Sequence, residues 1–317
     1  MMNYQGRIGL VLGSGASRGW SHIGIIKALS KLGVKPDIVT GCSVGALVGA
    51  AYCSGKLDTL EQWLRKLGRL EVAKFFELNW SFNGFVDPDH LEKFLTTYVC
   101  DSDVDIQDLD KTFAAVSTDL KSGREVWFTE GSVIKAVWAS IALPGLFPPL
   151  RYDGKWLVDG GLVNPVPVSV CRALGADFVI AVNLNGNIVG KHFIKKIEKP
   201  GAQKGSAKQD QDKSQANNGL ADRVVQTIRD YSSSLFADSD SEDTGPGLFD
   251  AIAGSINITQ DRITRSRMAG DPPDLVLSPK LSHIELLEFH RASEAIKEGE
   301  ACVDRLSSEI KYALQID

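Results

Sequence analysis

From Asp37 to Gly55 the chain reads DIVTGCSVGALVGAAYCSG. The stretch from Val44 to Cys53 carries no charge and almost no polar side chain. A helix that is apolar on every side is stable only inside a core. This segment must therefore be buried, and whatever leads into it is pinned to the core as well. What leads into it is Gly41-Cys42-Ser43-Val44-Gly45, after a short apolar strand at Asp37 to Thr40. A serine at that place can cap the helix. It can also be a nucleophile, because Gly-x-Ser-x-Gly between a strand and a helix is the nucleophile-elbow pattern. The glycines permit a strained turn and leave room beside the hydroxyl, and the helix N-terminus favours developing negative charge.

The same alternation opens the chain. Arg7 to Leu12 reads as a strand, GSGASRG as a turn, and Ser21 to Leu32 as a helix closed by Gly33. Strand, helix, strand, helix implies a mainly parallel central sheet with helices on both faces. Further strands are expected at Phe113 to Leu120, Arg124 to Thr129, Lys155 to Asp159 and Asp177 to Leu184. A helix is expected from Ser132 to Ile141, before Pro144. DPPDLVLSP reads as a last strand. A long C-terminal helix follows, with Phe289, Ala292, Ile296, Val303, Leu306 and Ile310 on one face. Leu248 to Met268 approximates an amphipathic helix. Leu248, Phe249, Ile252, Ile256 and Ile263 approximate an apolar stripe, with Asp250, Gln260, Asp261, Arg262 and Arg265 elsewhere; the stripe either packs on the core or forms a movable cover over Ser43 that meets acyl chains. The whole chain, 1–317, is expected to be one domain. Lys195 to Gly219 is rich in Lys, Gln, Asp, Ser and Gly, and cannot offset its own ordering entropy, so a flexible insertion is expected there.

Composition removes several classes. The chain has 317 residues and a formal net charge of −5, and no basic tract suits it to nucleic acid. Its five cysteines are scattered, without a CxxC pair, so neither a zinc site nor a disulfide framework is expected. No segment has a signal peptide's layout or the roughly 20 apolar residues of a membrane span. A cytoplasmic protein is expected, with peripheral contact at the inner membrane surface left open.

Gly13-Ser14-Gly15-Ala16-Ser17-Arg18-Gly19 follows a strand and precedes a helix, so its backbone N–H groups can converge on an anion. As a dinucleotide fingerprint it fails, because Arg18 stands where the third glycine belongs. As a Walker loop it lacks the closing Gly-Lys-Ser/Thr. As an oxyanion hole it would aim its amides at the neighbouring serine turn. A Ser-His-Asp triad needs a suitable histidine. None of His22, His90, His192, His283 and His290 lies on a strand-end loop flanked by small residues. LVDGGLVNPVPV offers Asp159 instead, at a strand end before two glycines, although an aspartate before glycine often serves only its own turn.

GSGASRG, GCSVG, ASIALPGLFPPL (Ala139 to Leu150) and DGG, in that order over roughly Arg7 to Asn185, resemble the patatin-like phospholipase family. The resemblance implies a three-layer α/β/α fold and a Ser-Asp dyad without histidine. Ser43 matches the nucleophile and Asp159 the dyad aspartate. Gly13, Gly15, Ala16 and Arg18 match the oxyanion and substrate-binding loop, with the Gly15 and Ala16 amides as donors and Arg18 as the basic residue beside them. It implies a serine acylhydrolase cleaving carboxylic esters of lipids; no metal-ligand cluster is evident in the sequence, so neither metal nor cofactor is expected. The alternatives are a regulatory or partner-binding protein on the same fold and, weakened by its glycine spacing, a dinucleotide-binding oxidoreductase.

Overall fold

The computed structural model describes residues 4–75, 86–186 and 248–316. The chain divides into two compact units, Met1–Lys191 with Asn257–Asp317, and His192–Ile256. Of the second unit only 248–256 are described, as the start of a helix. The expected flexible insertion, Lys195 to Gly219, lies outside the described residues.

The larger unit is built on an eight-stranded sheet. Strands β1 (Ile8–Leu12), β2 (Ile38–Cys42), β3 (Thr112–Asp119), β7 (Phe178–Val182) and β8 (Leu275–Leu277) run parallel in the order β8-β7-β1-β2-β3. β4 (Glu125–Phe128), β5 (Leu150–Tyr152) and β6 (Lys155–Asp159) complete it in antiparallel pairings. β1 and β2 are buried along their whole length, as expected of a parallel sheet covered on both faces. Ile8, Leu10 and Leu12 join one apolar cluster and Val11 another, so successive side chains serve opposite layers.

The helices follow their sequence signals. α1 (Ser21–Lys31) and α2 (Val44–Cys53) fall where their patterns placed them. α3 (Leu57–Leu64), α4 (Arg69–Phe75) and α5 (Pro88–Tyr98) fill the amphipathic stretch after α2, with Asp87 capping α5. α6 (Val133–Ile141) begins on a Ser132 cap, and α7 (Val168–Ala173) follows β6. α8 runs Leu248–Gly270. The expected single C-terminal helix is two, α9 (Ala292–Arg305) and α10 (Ser307–Ala313), broken at Leu306.

α8 departs from its predicted orientation. Ile252 and Ile258 are exposed, while Gln260, Asp261 and Thr264 are buried. Spacing alone marks the apolar stripe, but on the buried side of this helix Gln260 finds partners in Ser14 and Asn185.

Ala115 pairs with Gly41 of β2 and with Phe128 of β4, so β2 and β4 flank β3 on opposite edges. Ser117 pairs with Val126 of β4 and with Asp159 of β6. β6 therefore shares an edge with β2, the two meeting end to end where Cys42 faces Val116 and Asp159 faces Ser117.

Candidate active site

Ser43 leaves β2 with φ 55 and ψ −128, a left-handed conformation that costs a non-glycine residue about 1–3 kcal/mol. Gly45 keeps this turn tight: a Cβ there would lie 2.0 Å from the Leu12 carbonyl oxygen, so the first turn of α2 rests directly on the end of β1. The capping role open in the sequence is not what the hydroxyl does. Ser43 makes no side-chain cap bond to α2. Its Oγ donates instead to Asp159 Oδ2 at 2.5 Å. The Ser43 amide donates to Ser140 Oγ at 2.8 Å, and Ser140 donates on to the Val116 carbonyl at 2.6 Å. Ser140 had no assigned role in the sequence; its one local signal is a lone hydroxyl in the otherwise apolar second half of α6.

Asp159 is 1% exposed. Its two oxygens divide the two roles that its sequence left open. Oδ1 accepts from the Gly161 amide at 2.7 Å, as a turn aspartate does, and Oδ2 takes the Ser43 hydroxyl. Burial pushes its pKa up to about 6, against the lowering effect of those two hydrogen bonds. A carboxylate so placed has few competing partners and is a stronger proton acceptor than one in water.

No histidine among the described residues is bonded to either group. His22 is buried and pairs through Nε2 with the Gly13 carbonyl at 2.8 Å. Burial pushes its pKa down to about 4, so it is neutral and donates from Nε2. His283 pairs with Glu294 at 2.7 Å. His192 lies outside the described residues.

The glycine-rich loop ends β1 beside the serine turn, since β1 and β2 are parallel neighbours. Four of its amides are already engaged. Gly13 donates to the Val182 carbonyl at 3.2 Å, Ser14 to Pro165 at 2.8 Å, Ser17 to Leu286 at 3.2 Å and Arg18 to Gly15 at 3.2 Å. Among the described residues, those of Gly15 and Ala16 have no partner. Gly13, expected in the same oxyanion and substrate-binding loop, has its N–H bonded to the Val182 carbonyl and shapes the loop. Ala16, at φ 47, opens a short 3-10 helix, Ala16–Trp20.

Arg18 is not turned toward solvent. It is 1% exposed, and its guanidinium donates to the Gly15 carbonyl at 3.3 Å, Asn185 Oδ1 at 3.3 Å and Asn257 Oδ1 at 2.8 Å. Burial lowers its pKa to about 10, which leaves it a cation at neutral pH. Gln260 Oε1 accepts from Ser14 Oγ at 3.1 Å and from Asn185 Nδ2 at 3.0 Å. None of Asn185, Asn257 and Gln260 had a local sequence signal.

Beside Ser43 opens a cleft lined by Ala16, Val44, Leu47, Leu143 and Phe147 among others. Among the described residues its lining is apolar, and Ser43 supplies the one hydroxyl. Such a site suits a flexible hydrocarbon chain with its reactive end at the serine.

Among known proteins, the profile of the family described as Patatin-like phospholipase matches residues 10–172. An uncharacterised NTE family protein of Mycobacterium tuberculosis is 30% identical over 340 residues, covering 98% of this chain and 93% of that one.

The chain belongs to the patatin-like phospholipase family.

Within that family, the neuropathy target esterase of Drosophila melanogaster is 36% identical over 184 residues, 56% of this chain and 13% of that protein. A lysophospholipase of Emericella nidulans is 32% identical over 180 residues, 56% of this chain and 12% of that protein. VipD from Legionella pneumophila aligns with a TM-score of 0.45 at 12% identity over 97% of this chain and 68% of that one, too loose a likeness to carry an argument. Among the described residues no helix is long and apolar enough to cross a membrane.

Proposed function

We propose that the protein is a serine acylhydrolase that cleaves carboxylic esters of lipids. Ser43 is the nucleophile, Asp159 the base, and the amides of Gly15 and Ala16 the oxyanion donors. The observation that carries this is the 2.5 Å bond from Ser43 Oγ to Asp159 Oδ2 at an apolar cleft. Family membership and the lysophospholipase and esterase names of two relatives support the substrate class. The lysophospholipase name of one relative makes a lysophospholipid the substrate to test first.

In the first step Ser43 Oγ attacks the ester carbonyl carbon while its proton passes to Asp159. The carbonyl π electrons move to oxygen, where two amides receive the oxyanion. The intermediate collapses, the C–O bond to the alcohol breaks, and the leaving alkoxide takes the proton from Asp159. Water then attacks the acyl-serine, giving its proton to Asp159. The second oxyanion collapses to release fatty acid and return the proton to Ser43. An aspartate is a weak base for a hydroxyl in water, so the reaction leans on the oxyanion donors, each worth about 3–4 kcal/mol in comparable sites. The α2 N-terminus adds to them.

A partner-binding protein with little catalysis would have no use for a strained serine bonded to a buried carboxylate. The test is a fluorophosphonate probe with a chain-length series of p-nitrophenyl esters and lysophosphatidylcholine. Wild type should label and hydrolyse, and Ser43→Ala should do neither while remaining folded. Labelling that persists in Ser43→Ala would refute the assignment.

A further inference from the structure

α8 brings half-buried Asn257 to a fully buried cation, and buried Gln260 to the groups around it. Around the Arg18 guanidinium stand the Gly15 carbonyl, Asn185 Oδ1 and Asn257 Oδ1. Asn185 is held in turn by Gln260 at 3.0 Å and by the Ser14 carbonyl at 3.3 Å, and Gln260 also accepts from the Ser14 hydroxyl. Each group that receives the guanidinium is a neutral oxygen. Among the described residues no carboxylate lies within ion-pair distance of Arg18. Asp261, on the same helix, pairs with Arg265 at 2.9 Å, and exposed Glu285 is the acid whose charge reaches Arg18.

This arrangement is unusual for a buried charge, which is ordinarily paired. Aspartate has nearly the shape of asparagine, and at position 257 it would both accept the same hydrogen bond and cancel the charge. The chain has amides there instead. Neutral dipoles satisfy the guanidinium while leaving its field in place, and in a low-dielectric interior that field reaches further than in water. Arg18 also grips the carbonyl of Gly15, and the peptide that carries this carbonyl also carries the free Ala16 amide.

We propose that Asn185, Asn257 and Gln260 form a charge-preserving cradle. They fix Arg18 against Gly15, and so orient the two free amides, while leaving its positive charge uncancelled behind the oxyanion that forms at Ser43. The three are positioning residues, and the inference rests on the acyl-transfer reading above.

Asn257→Asp and Asn257→Ala separate this from simple bracing. A brace needs only the hydrogen-bond acceptor, so Asp would match wild type and Ala would be the poorer enzyme. The cradle gives the opposite order. Asn257→Asp should hold or raise the melting temperature through its new pair with Arg18. Its kcat and its rate of fluorophosphonate labelling should nevertheless fall at least about tenfold, below those of Asn257→Ala. KM for a short-chain ester should barely move. If Asn257→Asp does not fold, Gln260→Glu brings a carboxylate to the same cluster and is expected to show the same fall. Wild-type rates in either folded acidic variant overturn the cradle. Wild-type protein that fails to react with the probe overturns the acyl-transfer reading instead, so the two failures are distinct.

Discussion

The hydroxyl of Ser43 and the carboxylate of Asp159 share a 2.5 Å hydrogen bond across 116 positions of sequence. The bond exists because the strands that deliver them, β2 and β6, abut on one edge of β3, beside the consecutive residues Val116 and Ser117. Removing the proton acceptor without changing its shape is the cleanest probe of that relationship. Asp159→Asn should lower kcat by a factor of at least about 10². His22→Ala, by contrast, should act through loop stability, because His22 is neutral and bonded to Gly13. A His22 variant that stays folded yet is as inactive as Ser43→Ala would restore a histidine to the mechanism.

The same substitution should stabilise the fold. Asp159 is held at about 6 against an ordinary 3.8, so between those values the folded state binds the extra proton. Stability contributed by this group is therefore fully present below about pH 4 and lost as pH rises to about 6. The loss approaches roughly 3 kcal/mol at neutral pH. Denaturant unfolding should show Asp159→Asn gaining on wild type from pH 4 to pH 7. A constant difference across that range would mean that Asp159 is not strained by burial.

Activity should have an acid limb with its midpoint near pH 6, set by ionisation of Asp159. The profile of kcat/KM on a short-chain ester reports it. Full activity persisting to pH 4.5 would show that the carboxylate is not the base.

Gly161 stands between the aspartate and the cradle. A Cβ added there would lie 2.4 Å from Gln260 Nε2 and 2.9 Å from Asp159 Oδ1. The first contact is with a side-chain end that can move, so Gly161→Ala should fold. Because both displaced groups serve the site, turnover should fall far more than the melting temperature. Gly45→Ala should behave differently, since its Cβ would meet the Leu12 backbone at 2.0 Å, and loss of soluble folded protein is expected.

Chain-length preference should be set by the cleft. Leu47 lines it one turn along α2 from Ser43. Leu47→Trp should reduce hydrolysis of long-chain esters much more than of acetate esters, and Leu47→Ala should relax that discrimination. Equal loss on all chain lengths would place the acyl group elsewhere.

Much of this protein is legible in the sequence because its signals are local. An apolar helix behind Gly-Cys-Ser-Val-Gly dictates a buried turn, and alternating strands and helices dictate a parallel sheet. Asp159 before two glycines is a recognisable strand end. These depend on periods of two and 3.6 residues and on backbone sterics, which act over a few positions. What the tertiary structure alone decided is which groups meet. The register along β3 brings Ser43 to Asp159, the sheet takes the Gly13 amide out of contention, and Ser140 locks the Ser43 amide. α8 turns its amides inward against the expectation from its apolar spacing, because Arg18 and Ser14 offer them buried hydrogen bonds. Hydrogen bonds across 167 to 246 positions, such as Arg18 to Asn185 and Ser14 to Gln260, leave no periodic trace in a single sequence. They arise only once the sheet has been assembled and desolvation makes each unpaired polar group costly.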